Sequence, residues 1–531
     1  MAGLPDRLRP ALPWLLAALM VAAGVARIAA TYPVLNQVFD EPAHLASGIE
    51  YLQTGGYRFT PDHAPLPRVM IGLLPYLSGS RLAGHDDAFV EGTAILNTGH
   101  YDHNLALARA GILPFFVLAS GLVWWWTRRV FGSTAGLAAT LLFTSLPPVL
   151  AHAGLATTDM AFTAGLFAAV YGFARWMERP ALPETVFLGA GLALAVATKY
   201  SALLFLPVCL LLVFLLARAG GGRRAFSAST AAVAVLVAFL GVWAAYRFSF
   251  GPVPELRLPF SVPAPEWLHG LVVTRRHLQT GHASYLLGEV SFGGWWYFFP
   301  VVLAVKTPLG FLALVFAGLL ALARDSRARV VWQRRAPLYC ATGLLLACLM
   351  SSINLGVRHI LPIYPFLAMV AGAAAAALLE SRNRVAIAAA VGLLCWHLYS
   401  SAAAHPDYLP YFNELASRHP ERVLAESDLD WGQDVKRLSA AARELKIPAL
   451  WISYFGTADL NRSGLPPWKP LEPYRPVAGW VAISVNRLEV ASRLAQRLTR
   501  RPEGGYDWLR THQRVARAGK SIWIYYVPPQ P

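Results

Sequence analysis

Two adjacent stretches decide the fold: LPWLLAALMVAAGVARIAATY at 12–32 and FDEPAHLASGIEYL at 39–52. The first is long and apolar enough to span a bilayer, which takes about 20 predominantly apolar residues. The segment that follows, 33–67, is too polar to span. It carries Asp40 and Glu41 side by side, then His44, Glu50, Asp62 and His63. A hydrophobic span feeding a carboxylate-rich loop predicts an enzyme that works at a bilayer surface.

Composition extends this reading to the whole chain. Of 531 residues, 56% are hydrophobic and 14% charged, whereas a soluble chain carries about 25% charged residues. The apolar excess falls in blocks of span length, so the expected class is a polytopic α-helical membrane protein. Eleven spans can be drawn, near 12–32, 105–127, 134–153, 160–177, 185–198, 201–217, 227–247, 300–323, 336–352, 359–379 and 385–402. The first apolar segment has no small-residue cleavage site after it, which argues against a signal peptide. Cys209, Cys340, Cys348 and Cys395 lie in apolar segments without metal spacing and read as packing residues.

The net charge of +16 does not imply a nucleic-acid partner, because the basic residues sort to one side of the spans. Arg7, Arg9, Arg128, Arg129, Arg179, Arg218, Arg223, Arg224, the run from Arg324 to Arg335, Arg382 and Arg384 fall on one face, the cytoplasmic one by the positive-inside rule. Loop 33–104, Asp159, loop 248–299 and everything after 402 then lie outside. The expected location is the plasma (inner) membrane, with the active site facing the periplasm or exterior. The Gly-rich patch at 219–224 reads as a cytoplasmic turn.

Residues 1–402 thus form a membrane domain, and 403–531 an external soluble domain. In the latter, VLAES (423–427), ALWISYFG (449–456), GWVAISVN (479–486) and SIWIYYV (521–527) read as strands. DVKRLSAAARELK (434–446), RLAQRL (493–498) and YDWLRTHQRVARAG (506–519) read as helices. The alternation predicts a small α/β layer.

The chemistry lies in ionisable groups placed in or beside spans, where charge is costly and marks function by default. An Asp–Glu pair on a loop can simply cap a helix, and Asp40 before Pro42 suits an N-cap. It has company, however. Asp159 sits in LATTDMAF, Lys199 in ATKYSALL, Lys306 in VVLAVKTPLG, and Arg358 with His359 in NLGVRHILPIYP. Two acids and several cations near one leaflet suit sugar transfer from a lipid-linked sugar phosphate. That reaction needs one carboxylate to take the acceptor proton and cations to stabilise the departing phosphate. Asp40, Glu41 and Asp159 are the candidate catalytic acids. Lys199 and Arg358 are the first candidates for the donor phosphate, with His282 and Lys306 behind them. SDLDWGQD offers Asp430, Trp431, Gln433 and Asp434 as sugar or acceptor contacts, or as a capped turn. The cluster Trp295 to Phe299 reads as an interfacial aromatic belt.

DEPAH is not the H-E-x-x-H zinc helix, because its first position is Asp and Pro42 interrupts the helix start. No resident metal is called for. A divalent cation, Mg²⁺ or Mn²⁺, held by Asp40, Glu41 and Asp159 together with phosphate stays open.

The motifs FDEPAHLASGIEYL, HAPLPR, LATTDMAF, GLALAVATKYSALLFLP, GHASYLLGEVSFGGWWYFFPVVLAVKTP, LGVRHILPIYPFLA, HPDYLPYFNELA and SDLDWGQDVKRL together resemble bacterial phospholipid-carrier-dependent glycosyltransferases of the GT-C class. That class includes protein O-mannosyltransferases and aminoarabinose transferases of lipid A. The resemblance runs from about residue 12 to 440 and implies a GT-C fold with inversion at the anomeric carbon. It implies a polyprenyl-phosphate-linked sugar as donor, with membrane lipids around it and the acceptor (lipid, glycan or protein) undetermined. It maps the base to Asp40, the second-loop acid to Asp159, and a donor-phosphate position to His63. The chain lacks the extra β-trefoil domain of the O-mannosyltransferases and has a longer 248–299 loop than the aminoarabinose transferases, so neither acceptor is implied. The competing class is a secondary transporter or flippase of lipid-linked sugars, which intramembrane Lys306 would also suit. No two-fold repeat supports it.

Overall fold

The computed structural model describes residues 11–220, 227–257, 259–324 and 331–529. Arg7, Arg9, Arg223, Arg224 and residues 325–330 of the Arg-rich segment lie outside the described residues, as does most of the 219–224 turn.

Each of the eleven predicted spans coincides with helix, and the chain is an integral membrane protein. Among the described residues, five helices are long and apolar enough to cross a membrane, or up to seven if each of two bent pairs counts as one span. Three further apolar helices, Leu182–Thr198, Ala336–Leu349 and Ile363–Leu379, are shorter. Proline opens many of these helices, including Leu12–Ala29, Leu113–Phe131 and Pro147–Ala153, where its missing N–H costs nothing and its fixed φ is pre-set.

Two predicted spans are broken. The segment near 134–153 is Ser133–Thr144 followed by Pro147–Ala153, bent by 62°. The segment near 300–323 is Phe298–Lys306 followed by Leu309–Arg324, bent by 115°. Pro147 and Pro308 stand at the breaks, and each disfavours helical geometry in the residue before it.

The helices flanking Lys199 are two separate helices. Helix Asp159–Glu178 packs antiparallel against Leu182–Thr198, close enough that a Cβ on Gly165 would come within 2.9 Å of the Ala195 Cα and one on Gly191 within 2.8 Å of the Ala169 Cα. Lys199 then breaks the helix with extended backbone. Helix Ala202–Ala219 runs back beside Asp159–Glu178. The Phe162 and Phe205 rings meet at one end, 6.0 Å apart. At the other end Gly220 abuts Trp332, and Gln333 donates to Glu178.

The polar loop 33–104 is folded. It holds helices Glu41–Thr54, Pro65–Leu77 and Ala88–Leu96. Loop 248–299 holds helix Pro265–Thr280 and a hairpin pairing Ser284–Leu286 with Glu289–Ser291.

The tail carries a five-stranded sheet in the order Trp468–Pro470, Leu450–Ser453, Gly479–Ser484, Ile522–Val527, Arg514–Ala518. The first three run parallel and the last two antiparallel to their neighbours. Helices Val435–Glu444 and Ser492–Thr499 stand where expected. Two readings are corrected. VLAES is not a strand: a 3-10 turn at Pro420–Arg422 leads into the short helix Glu426–Leu429. The stretch 506–519 is not one helix either, since a 3-10 turn at Asp507–Thr511 gives way to strand Arg514–Ala518. Pairing with Ile522–Val527 across the Gly519 turn overrides the helix preference of its Arg and Ala residues.

Candidate active site

Helix Glu41–Thr54 begins at the end of the membrane domain that meets the tail. Asp40 occupies its N-cap, yet the side chain makes no capping hydrogen bond. It reaches instead to Arg358, whose Nη1 donates to Oδ2 at 2.7 Å. The capping explanation of this acid therefore fails, and its carboxylate is 27% exposed.

Glu41 points the other way and is 1% exposed. Arg109 donates to it through Nε at 2.8 Å and Nη2 at 2.9 Å, while the backbone N–H groups of Val38 and Ala156 donate to the same carboxylate. Four donors consume its acceptor capacity, so its expected share in proton transfer becomes a structural role. Arg109 was missed in the sequence, although a lone charge inside a predicted span is the signal that finds such residues.

Asp159 opens helix Asp159–Glu178, three residues after Ala156, and receives Lys199 Nζ at 2.6 Å. The site is thus two acid–cation pairs, Asp40 with Arg358 and Asp159 with Lys199. Arg358 feels the charge of both acids. Its guanidinium lies 4.5 Å from the Trp431 ring centroid, which fixes its plane.

His44, one helical turn after Asp40, faces His63 with ring centroids 5.0 Å apart. Burial, and then the neighbouring His63, push its pKa down to about 3, so it is neutral at working pH. His63 Nδ1 lies 3.3 Å from Asp62 Oδ1. Despite burial, His63 holds the Asp62 carboxyl below the usual carboxylate range. His63 also lines a cleft of about 220 Å³ with Tyr57, Tyr246, Glu266 and His269. His282 Nδ1 donates to the Ala283 carbonyl at 2.9 Å. Its charge, with that of Arg358, acts on Glu426, a carboxyl that sequence reasoning did not single out and that burial pushes upward.

Lys306 does not face this cluster. Its Nζ donates to the carbonyls of Leu409 at 2.8 Å and Asp428 at 2.6 Å, and sits 4.3 Å from the Phe412 ring centroid. It pins the start of the tail to the membrane domain, which corrects its assignment to the donor phosphate.

The SDLDWGQD residues are likewise buried. Asp430 accepts from the N–H groups of Gly432 and Asn486, and Gln433 bonds Leu429 and Trp431. Asp434 accepts from Lys520 and Ser521 and pairs with Arg437. Trp431 stays beneath Arg358. Of the two readings of this motif, sugar contact or capped turn, the geometry favours the turn: the side-chain polar atoms of Asp430, Gln433 and Asp434 are bonded within the protein. The motif forms the joint that docks the tail: Asn36 N–H donates to the Gln433 carbonyl and Phe39 N–H to that of Trp431. Asp428 adds to it by accepting from Val357 N–H, beside Arg358.

Among the described residues, no group of three His, Cys, Asp or Glu side chains converges to hold a metal ion. Asp40, Glu41 and Asp159 do not form the cation cage left open above, since Glu41 is turned to Arg109 and the other two each already hold a cation.

The family model of the dolichyl-phosphate-mannose-protein mannosyltransferases matches residues 104–250. No curated protein matches the chain in sequence. The fold is similar to that of ArnT from Cupriavidus metallidurans, solved bound to undecaprenyl phosphate. That chain is 14% identical, with 97% of this chain and 99% of that one covered and a TM-score of 0.52. It is also similar to the archaeal oligosaccharyltransferase AglB from Archaeoglobus fulgidus, solved with an inhibitory peptide and a dolichol-phosphate. Identity there is 11%, coverage 91% of this chain and 70% of that one, and TM-score 0.51. The architecture is the GT-C fold, with a sheet-containing C-terminal region.

Proposed function

We propose that the chain transfers a sugar from a polyprenyl-phosphate carrier to an acceptor hydroxyl at the external membrane face, with inversion. The observation that carries this reading is the pairing of two acids with two cations, Asp40–Arg358 and Asp159–Lys199, where the tail docks on the membrane domain. A phosphate entering the cluster competes with the carboxylates for Arg358 and Lys199. Arg358 then has a bidentate fork for phosphate and Lys199 a point charge. As Arg358 turns to the phosphate, Asp40 is released to accept a proton.

Chemistry follows in one displacement. The acceptor oxygen attacks the anomeric carbon, its proton passes to Asp40, and the carbon–oxygen bond to phosphate breaks. The electron pair leaves on polyprenyl phosphate, whose charge Arg358 and Lys199 stabilise. No second, protonated carboxyl is needed, because phosphate is already a good leaving group. Neutral His44 shapes the approach without adding charge.

The test is single turnover in detergent with a radiolabelled polyprenyl-phosphate sugar and a membrane extract as acceptor source. A transferase releases polyprenyl phosphate, whereas a flippase leaves the lipid intact. Asp40→Asn should slow release by about 10²–10⁴-fold with donor binding retained. Near-normal turnover in that variant would remove Asp40 from the role.

A further inference from the structure

Away from the acid–cation pairs, the hairpin Ser284–Ser291 leans against the outer part of the tail sheet. A cleft of about 630 Å³ lies between them. Its walls include Arg422, Arg493, Arg510, Arg514 and Arg517, against Glu421 and Glu489. Arg510 is already neutralised, because it donates to Glu489 at 2.8 Å and to Asp507 at 2.9 Å. Among the described residues, no carboxylate lies within ion-pair distance of Arg422, Arg493, Arg514 or Arg517, and the Arg493 Nε is buried without a hydrogen-bond partner.

The backbone builds this charge on purpose. Residues 514 and 517 of a regular strand would face opposite sides of the sheet. A register shift between Arg514 and Ala516 leaves Val515 bulged, so Arg514 pairs with Tyr525 and Arg517 with Trp523, two residues apart and on one face. Both guanidinium groups then lie over the Trp523 ring, at 4.8 and 6.0 Å. Stacking fixes their planes and leaves their donors for an anion. Among the described residues neither is ion-paired, and Glu421, which acts on Arg514 across the cleft, leaves the two like charges with room for a further anion.

A second basic cleft of about 470 Å³ shares Gly288 and Arg493 with the first and adds Arg497 and Arg501. The ligand that suits both is longer than a single phosphate. Both walls also lead back to the candidate active site. The hairpin follows His282, and Glu421, whose carbonyl receives the Tyr285 hydroxyl at 2.7 Å, precedes Glu426 on the same short segment.

We propose that this paired cleft binds an acidic saccharide, an oligosaccharide bearing carboxylate or phosphate groups, and presents it as acceptor. The saccharide class and the acceptor role rest on the glycosyltransfer reading; the anion-binding cleft does not.

The experiment measures binding to the full-length protein in detergent by titration calorimetry, with trigalacturonate, a phosphorylated disaccharide, maltotriose and inorganic phosphate. At least one acidic saccharide should bind tenfold or more tighter than maltotriose, and more weakly as salt is raised. Arg514→Ala with Arg517→Ala should weaken it at least tenfold. Because that pair also packs on Trp523, Leu287→Asp serves as a second variant. Leu287 is an exposed rim residue with positive φ that Asp tolerates, and an acid there should weaken binding without touching the arginines. Equal affinity for acidic and neutral sugars, binding of inorganic phosphate alone, or full affinity in both variants would overturn the site. Asp40→Asn should bind the acidic saccharide as the wild type does. Acidic-saccharide binding without any transfer would count against the transfer reading alone. Transfer without such binding would count against the cleft alone.

Discussion

At the scale of single residues, two neighbouring acids that look interchangeable in sequence have opposite fates. Asp40 is accessible and holds one exchangeable partner, whereas Glu41 is sealed among Arg109 and two backbone amides. Glu41→Gln would leave a buried guanidinium uncompensated. Breaking a buried pair in this way costs about 3–5 kcal/mol, so thermal unfolding in detergent should shift down strongly, with donor binding and turnover lost together. Asp40→Asn should barely move the melting point. The difference was not legible in FDEP, because the partner that decides it lies 68 residues away. Asp430 gives a second residue-scale test. Burial, only partly offset by backbone N–H donors, pushes its pKa up to about 7. Between about pH 4 and 7 the folded chain therefore keeps a proton that the unfolded chain has released. Stability from this group falls as pH rises through that window, by at most about 1.4 kcal/mol per unit. The apparent melting temperature of Asp430→Asn, compared with wild type at pH 4.5 and pH 7, should show a smaller decline with pH.

At the scale of elements, hydropathy located the helices but not their breaks. The apolar run near 300–323 has the length of one span, and its composition gives no sign of a 115° bend; the only local signal is Pro308. The bend matters because it brings Lys306 to the carbonyls of Leu409 and Asp428, and so ties a helix end to the tail. Lys306→Met keeps the length but strands two buried acceptors, each worth about 1–3 kcal/mol. The expected result is a tail loosened before the rest of the chain melts, read as faster limited proteolysis between 403 and 434. Strand Arg514–Ala518 was missed for a different reason. Its Arg and Ala residues favour helix, and only pairing with the neighbouring strand Ile522–Val527 makes it a strand. Local pattern carries no information about that neighbour.

For the whole molecule, the two ends of the helical bundle differ. Arg129 and Arg175 meet Glu178 at one end of the bundle, and Arg334 lies over Phe131 there, while the tail docks at the opposite end. If the positive-inside rule orients this molecule, the Asp40 end faces outward. In a variant lacking the four native cysteines, an impermeant maleimide should label intact cells at Ser417→Cys and not at Ser133→Cys, both exposed positions. The reverse pattern would place the acids on the wrong side for a donor whose head group has been flipped outward. The docking itself was not legible, since the tail returns from some 400 residues away to bond Asn36 and Phe39. One contact in this assembly sets a dimension. Glu41 follows Asp40 directly, and its other oxygen grips the Ala156 amide, three residues before Asp159. The gap between Asp40, the proposed proton acceptor, and the acid paired with Lys199 is therefore gauged by the length of one side chain. A displacement of about 1 Å between reacting groups can cost 10²-fold in rate. In the proposed mechanism the sealed acid is a spacer against which the two paired acids are aligned.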